Sequence, residues 1–179
     1  AFNAMKKAPH GDKHISGKIM AGPATSDEIE KRLSDLGIAL PAPSGAAGNY
    51  VPYVISGNQL FISGQVPLSP EGLKFQGKVG DAFSLEEGQE AAKLCAINIL
   101  AQAKAACGGD LSRLNRCVKL GGFVNSTPDF DQQPAVINGA SDLMVAVLGE
   151  AGRHARTAVS AANLPFNVAV EIDAIFEIA

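Results

Sequence analysis

Ala155-Arg156-Thr157-Ala158-Val159-Ser160-Ala161 and Asn167-Val168-Ala169-Val170-Glu171-Ile172-Asp173-Ala174-Ile175-Phe176-Glu177-Ile178 are two runs rich in β-branched and aromatic residues on either side of Asn163-Leu164-Pro165. Such runs around turn-forming residues predict a closing β-hairpin. A period of two puts Val168, Val170, Ile172, Ala174 and Phe176 on one face, the core side, and Ala169, Glu171, Asp173 and Glu177 on the other. With Asn163 to Phe166 as the turn and Ala162 opposite Asn167, Ala158 pairs with Glu171 and Arg156 with Asp173. Arg156 and Glu171 then sit diagonally on one face, within reach of long side chains. A slip of one residue would separate them.

Working back from this end, Arg116 to Val124 reads as a strand. Gln132 to Leu148 reads as an amphipathic helix with Pro134 in its first turn and Gly149 just past its end. Ser84-Leu85-Glu86-Glu87 is a capping box, and the stripe Leu85, Gly88, Ala92, Cys95, Ile99, Ala103 extends a second helix to Gly108-Gly109. Tyr53-Val54-Ile55 and Gln59 to Ser63 flank Ser56-Gly57-Asn58 as a hairpin, with Leu73 to Gln76 a possible extra strand. A further capping box at Thr25-Ser26-Asp27-Glu28 starts a short helix carrying Ile29, Leu33 and Leu36, closed at Gly37. The order β-β-(β)-α-β-α-β-β predicts an α+β layered domain, a mixed sheet with the two central helices on one face. Residues 24–179 form this single domain. Residues 1–23 read as a flexible tail in which Met20 is a candidate natural start.

Composition narrows the function. The 179 residues are 46% hydrophobic and 18% charged with a formal charge of −3, values of a folding chain without electrostatic recruitment of nucleic acid. No run of about 18 to 20 apolar residues is present to cross a bilayer. Cys95, Cys107 and Cys117 lack C-x-x-C spacing and read as small buried hydrophobes, which suits a reducing, cytoplasmic location. Phosphate-binding loops, dinucleotide fingerprints, H-E-x-x-H and the G-x-S-x-G elbow are all missing from the sequence. His10 and His14 have helical metal-ligand spacing, but Gly11 and the polar tail argue against a helix there.

The pair Arg156 and Glu171 therefore carries the functional reading. A guanidinium fixes a planar carboxylate with two parallel hydrogen bonds, and a nearby carboxylate holds a water or shuttles a proton. The plainer reading is a cross-strand ion pair on a solvated face, which the pattern by itself favours because such pairs are common. His154 shares the parity of Arg156 but, beside Arg153 at a loop end, reads as surface.

Tyr53-Val54-Ile55, Phe61-Ile62-Ser63-Gly64-Gln65-Val66-Pro67, Phe130 to Asn138, Ala155-Arg156-Thr157-Ala158-Val159, Leu164-Pro165 and Val170-Glu171-Ile172-Asp173-Ala174 occur in this order. Together they resemble the RidA (YjgF) family of reactive-intermediate deaminases over about residues 49–179, in a longer branch often described as endoribonucleases. The resemblance implies a chorismate-mutase-like fold in a homotrimer with sites in clefts between subunits, and no cofactor. It implies that Arg156 holds a substrate carboxylate, that Glu171 positions the hydrolytic water, and that Tyr53, Ser63 and Asn138 line the pocket. The implied reaction is hydrolysis of 2-aminoacrylate, 2-iminopropanoate and related enamine or imine acids to 2-oxo acids and ammonia. Three departures bear on substrate: Ala158 where many members have cysteine, Val51-Pro52-Tyr53 for G-P-Y, and a longer Gly149 to His154 loop. The same arginine also suits a trimer that binds a small carboxylate without turnover. A ribonuclease, the third alternative, lacks a basic stripe with interleaved aromatics.

Overall fold

The computed structural model describes residues 24–179; His10 and His14 lie outside the described residues. Both capping boxes form. Thr25 accepts from the Glu28 N–H and Glu28 accepts from the Thr25 N–H, starting α1 (Ser26–Asp35). Ser84 and Glu87 exchange the same bonds at the start of α2 (Leu85–Ala106). Each box satisfies two amide donors that a helix start would leave orphaned. The remaining helix, α3 (Gln133–Leu148), takes Pro134 in its first turn and ends at Gly149, whose φ is 65°. Gly139 lets α3 lie on α2, since a Cβ there would run into the Gln89 carbonyl.

Seven strands follow in chain order: β1 (Tyr53–Ser56), β2 (Gln59–Gln65), β3 (Leu68–Ser69), β4 (Gly72–Leu73), β5 (Leu114–Asn125), β6 (Ala155–Ala161) and β7 (Val170–Ile178). The short β3 and β4 pair only with each other, so the extra strand expected at Leu73 to Gln76 shrinks to Gly72–Leu73. The other five form one mixed sheet in the order β1-β2-β7-β5-β6. The α+β architecture expected from the sequence is the observed one, and all three cysteines are buried free thiols.

The closing hairpin is not. Strand β6 pairs in parallel with β5, whereas β7 inserts between β2 and β5, antiparallel to both. Two physical facts account for this. Strand β5 reaches β6 through α3, and a crossover of that kind delivers a parallel neighbour. Strand β7 buries Val170, Ile172, Ala174, Phe176 and Ile178 in the core and has both backbone edges paired, as an interior strand requires. The link between them turns through Phe166 and Asn167, both at φ 57°, and crosses the end of β5. There the Asn125 amide donates to Val168 O at 3.2 Å and the Asn125 backbone N–H donates to Ala169 O at 2.8 Å.

The registers sort the sheet into two faces. Tyr53, Ile62, Ala174, Leu120 and Arg156 form one transverse row on the helix side. On the other side Val54, Phe61, Ile175 and Lys119 form one row, and Glu171, Phe123 and Val159 another. This second face leaves Val54, Phe61, Phe123 and Val159 between 37% and 51% exposed, with no layer over them among the described residues.

Candidate functional site

The observed pairing separates the two residues that the sequence placed together. Arg156 lies opposite Leu120 on the helix side, whereas Glu171 lies opposite Phe123 on the other side. Two strand spacings of about 4.8 Å and three residues of about 3.3 Å put their Cα atoms about 14 Å apart. Their side chains leave opposite faces. The diagonal Arg156–Glu171 contact and the Arg156–Asp173 pairing expected from a hairpin are therefore absent, and no ion pair among the described residues includes Arg156, Glu171 or Asp173. The candidate residues fall into two groups, Arg156 with Asn138 at the β6 edge and Tyr53 and Ser63 at the β1–β2 side with Glu171 next to them on the central strand β7.

On edge strand β6, Arg156 is half-buried and tethered. Its Nη1 donates to Asn138 Oδ1 at 2.8 Å and to Ser141 Oγ at 3.0 Å, both on α3. His154 stands behind them, with Nε2 2.9 Å from Ser141 Oγ and Nδ1 2.6 Å from Gly152 O. Donor rules fix the proton order in the neutral ring. A carbonyl only accepts, so Nδ1 carries the hydrogen; a guanidinium only donates, so Ser141 accepts from Arg156 and gives its own hydrogen to Nε2. Gly152, His154, Ser141 and Arg156 thus form one directed chain. Asn138 was anticipated. Ser141, three residues further along the same helix face, was not, and His154 is half-buried within the chain rather than plain surface.

At the β1–β2 edge, Ser63 Oγ donates to Val51 O at 2.8 Å and the Ser63 N–H donates to Pro52 O at 2.9 Å, clamping the chain just before β1. Tyr53 turns to the helix side and packs half-buried against the core. Glu171 leans across β2 at Gly64, where an added Cβ would stand 2.9 Å from its carboxyl carbon. The strand register slips between Ile62 and Gln65 at this point. Burial, seconded by the charge of Asp173 on the same face, pushes the Glu171 carboxyl above the usual carboxylate range. Asp173 is also pushed up by burial, against the opposing pull of the Gly121 N–H and Lys119. Arg156, were it adjacent, would oppose burial by favouring the charged carboxylate. Within one chain that arginine is too distant.

Glu171 also lines a cavity of about 440 Å³, with Pro52 and Gly64 beside it and Ser44 to Ala47 and Tyr50 from the segment that joins α1 to β1. Three buried amides, Gln65, Asn98 and Gln102, complete it. Gln65 stands in the run Phe61 to Pro67 of the family resemblance; Asn98 and Gln102, spaced four apart on α2, had not been singled out. Among the described residues, no three His, Cys, Asp or Glu side chains gather to hold a metal ion. Burial raises the thiol of Cys117 to about 12, so it stays protonated.

Residues 30–177 match a family model described as "YjgF/chorismate mutase-like, putative endoribonuclease". The chain is 50% identical over 154 residues to Protein TCP17 of Trypanosoma cruzi, covering 86% of this chain and 96% of that one. Among solved structures, it is similar to the protein Atu1372 of Agrobacterium tumefaciens, of unknown function: 56% identity, TM-score 0.80, 86% of this chain and 96% of that one covered. It is also similar to E. coli TdcF with bound serine, at 28% identity and TM-score 0.55, covering 79% of this chain and 96% of that one.

Proposed function

The chain belongs to the YjgF (RidA) family, and on that footing we propose that it hydrolyses enamine or imine acids of the 2-aminoacrylate and 2-iminopropanoate type to 2-oxo acids and ammonia. The observation that carries the proposal is the division of the site. A half-buried guanidinium, held by Asn138 and Ser141 but by no carboxylate, occupies the β6 edge of the sheet; a half-buried carboxyl of raised pKa leaves the opposite face from the central strand β7. Each lacks what the other supplies. Neighbouring copies in a trimer bring Arg156 of one subunit to Glu171 of the next, and the apolar face of Val54, Phe61, Phe123 and Val159 gives such copies surface to bury.

In that cleft Arg156 grips the substrate carboxylate through two parallel hydrogen bonds. The imine carbon is already electrophilic, so the remaining work is to aim a water at it and move protons. Glu171 accepts a hydrogen bond from the water and takes its proton as oxygen bonds to C2. It returns that proton to nitrogen, giving a carbinolamine, then takes the remaining hydroxyl proton and passes it to nitrogen in turn, so that ammonia leaves as the C2 carbonyl forms. A carboxyl raised towards neutrality suits both halves of this cycle. Tyr53 and Ser63 act one step back, shaping the β1 edge. The bound serine of TdcF is consistent with a carboxylate anchor and equally supports a second reading, binding without turnover.

The test is ammonia release from imines generated in situ by an amino acid oxidase. Arg156→Ala leaves a buried carboxylate unpaired, a loss of about 3–5 kcal/mol and hence roughly two to four decades in kcat/KM. Unchanged hydrolysis of 2-iminopropanoate in that variant refutes the proposal. Calorimetric binding of 2-oxo acids without ammonia from any imine selects the second reading.

A further inference from the structure

The cavity beside Glu171 is larger than the proposed reaction needs. At about 440 Å³ it falls in the range of pockets that hold drug-sized ligands, and a three-carbon imino acid leaves most of it empty. Its walls are mostly apolar, with Val66, Leu68, Leu73 and Phe166 facing Ala46 and Ala47. One wall is the strap from Ser44 to Tyr50, which Gln102 of α2 holds by donating its side-chain N–H to Ser44 O at 2.7 Å. Asn98, one turn earlier, donates to Val66 O at 3.0 Å and Leu68 O at 2.9 Å.

These bonds orient the amides, because backbone carbonyls accept only and so the NH₂ groups must point at them. What Asn98 and Gln102 leave over is acceptor oxygen. No described residue donates to either oxygen, and both residues line the cavity. With the Glu171 carboxyl they add acceptor oxygens to a lining that holds no lysine or arginine. A second carboxylate would be repelled; an uncharged carbon chain is accommodated by the apolar walls.

We infer that the strap-walled cavity is a side-chain chamber, which selects 2-imino and 2-oxo acids bearing a branched or long uncharged side chain and rejects dicarboxylates. This rests on the proposed site, with the acid's carboxylate on Arg156 of a neighbouring copy and its side chain entering past Glu171. The Ser44–Tyr50 strap is thereby the specificity element of this chain.

Calorimetry with 2-oxo acids tests the chamber without requiring turnover. For the wild-type protein, 4-methyl-2-oxopentanoate is expected to bind roughly tenfold to fiftyfold tighter than pyruvate, from three further buried carbons, and 2-oxoglutarate more weakly than pyruvate. Ala46→Phe fills the chamber from the strap and Leu73→Phe fills it from β4. Each is expected to bring the ratio of the first two affinities down to about one. Equal affinities in the wild type, a ratio that survives both substitutions, preferred binding of 2-oxoglutarate, or no binding of any of the three acids overturns the inference. Ammonia release is read separately: a retained ratio without turnover removes the hydrolytic function and leaves the chamber, whereas turnover with a ratio of one removes the chamber alone.

Discussion

If Arg156 and Glu171 act on one substrate, two inactive variants should rescue each other. Within a chain the two residues sit on opposite faces of the sheet, opposite Leu120 and Phe123, about 14 Å apart between Cα atoms. Every working site must then take its arginine from one copy and its carboxylate from another. Arg156→Ala removes the anchor and Glu171→Gln the proton carrier; each alone is expected to lower kcat/KM by about two decades or more. In a ring refolded or co-expressed from equal amounts of the two, a site works when its arginine comes from a Glu171→Gln chain and its glutamate from an Arg156→Ala chain. Each condition holds half the time, so about one quarter of the sites are intact, whatever the size of the ring. Ammonia release should therefore rise from about a hundredth of the wild-type rate to about a quarter of it. Mixing folded variants without subunit exchange provides the baseline. A co-assembled mixture no more active than its parents would refute the shared site.

Three other outcomes are expected. His154→Ala and Ser141→Ala each break the chain of hydrogen bonds behind Arg156, raising KM about two- to tenfold while kcat changes little. The double variant should be no worse than the poorer single one, which steady-state kinetics on all four proteins checks; additive losses would show that His154 does not act through Ser141. Gly64→Ala pushes a methyl group against the Glu171 carboxyl, so kcat should fall about tenfold or more with the thermal midpoint nearly unchanged, read by kinetics and calorimetry together. Finally, Glu171 titrates above its ordinary value of 4.5 in the folded protein, chiefly through burial. Between the unfolded and folded pKa the folded state then binds more protons, so stability falls as pH rises through that window. Glu171→Gln should accordingly unfold at a higher temperature than wild type at neutral pH, with the gain shrinking as the pH approaches 4.5, followed by thermal melts across that range.

The elements were readable because their signals are local. Thr25 with Glu28 and Ser84 with Glu87 mark helix starts that any chain of that sequence would favour, and Gly57-Asn58 marks the first hairpin turn. Alternation correctly assigned Val168, Val170, Ile172, Ala174 and Phe176 to the core. Alternation gives a face but not a neighbour. Whether β7 folds back on β6 or slides in beside β2 is settled by tertiary burial, which leaves no mark in a window of a dozen residues. The face of Arg156 was lost with that choice, because its parity was counted from the wrong strand. The resemblance to the family supplied Arg156, Glu171 and Asn138 without their geometry. Ser141, Asn98 and Gln102 were invisible because a polar residue in a helix usually just faces water; only the fold shows that these meet a guanidinium, a loop or a strap.

The late insertion of β7 has a consequence for biogenesis. Strands β2 and β5 have no sequence-local partner for the edges they turn toward each other, and both wait for residues 170–178, which leave the ribosome after every other element described here. Until then the nascent chain carries two open, apolar strand margins around an empty slot. Such margins template wrong pairings between chains, and the long sequence separation of the contacts that fill the slot slows the remedy. A chain cut short before residue 170 would keep both margins open for good.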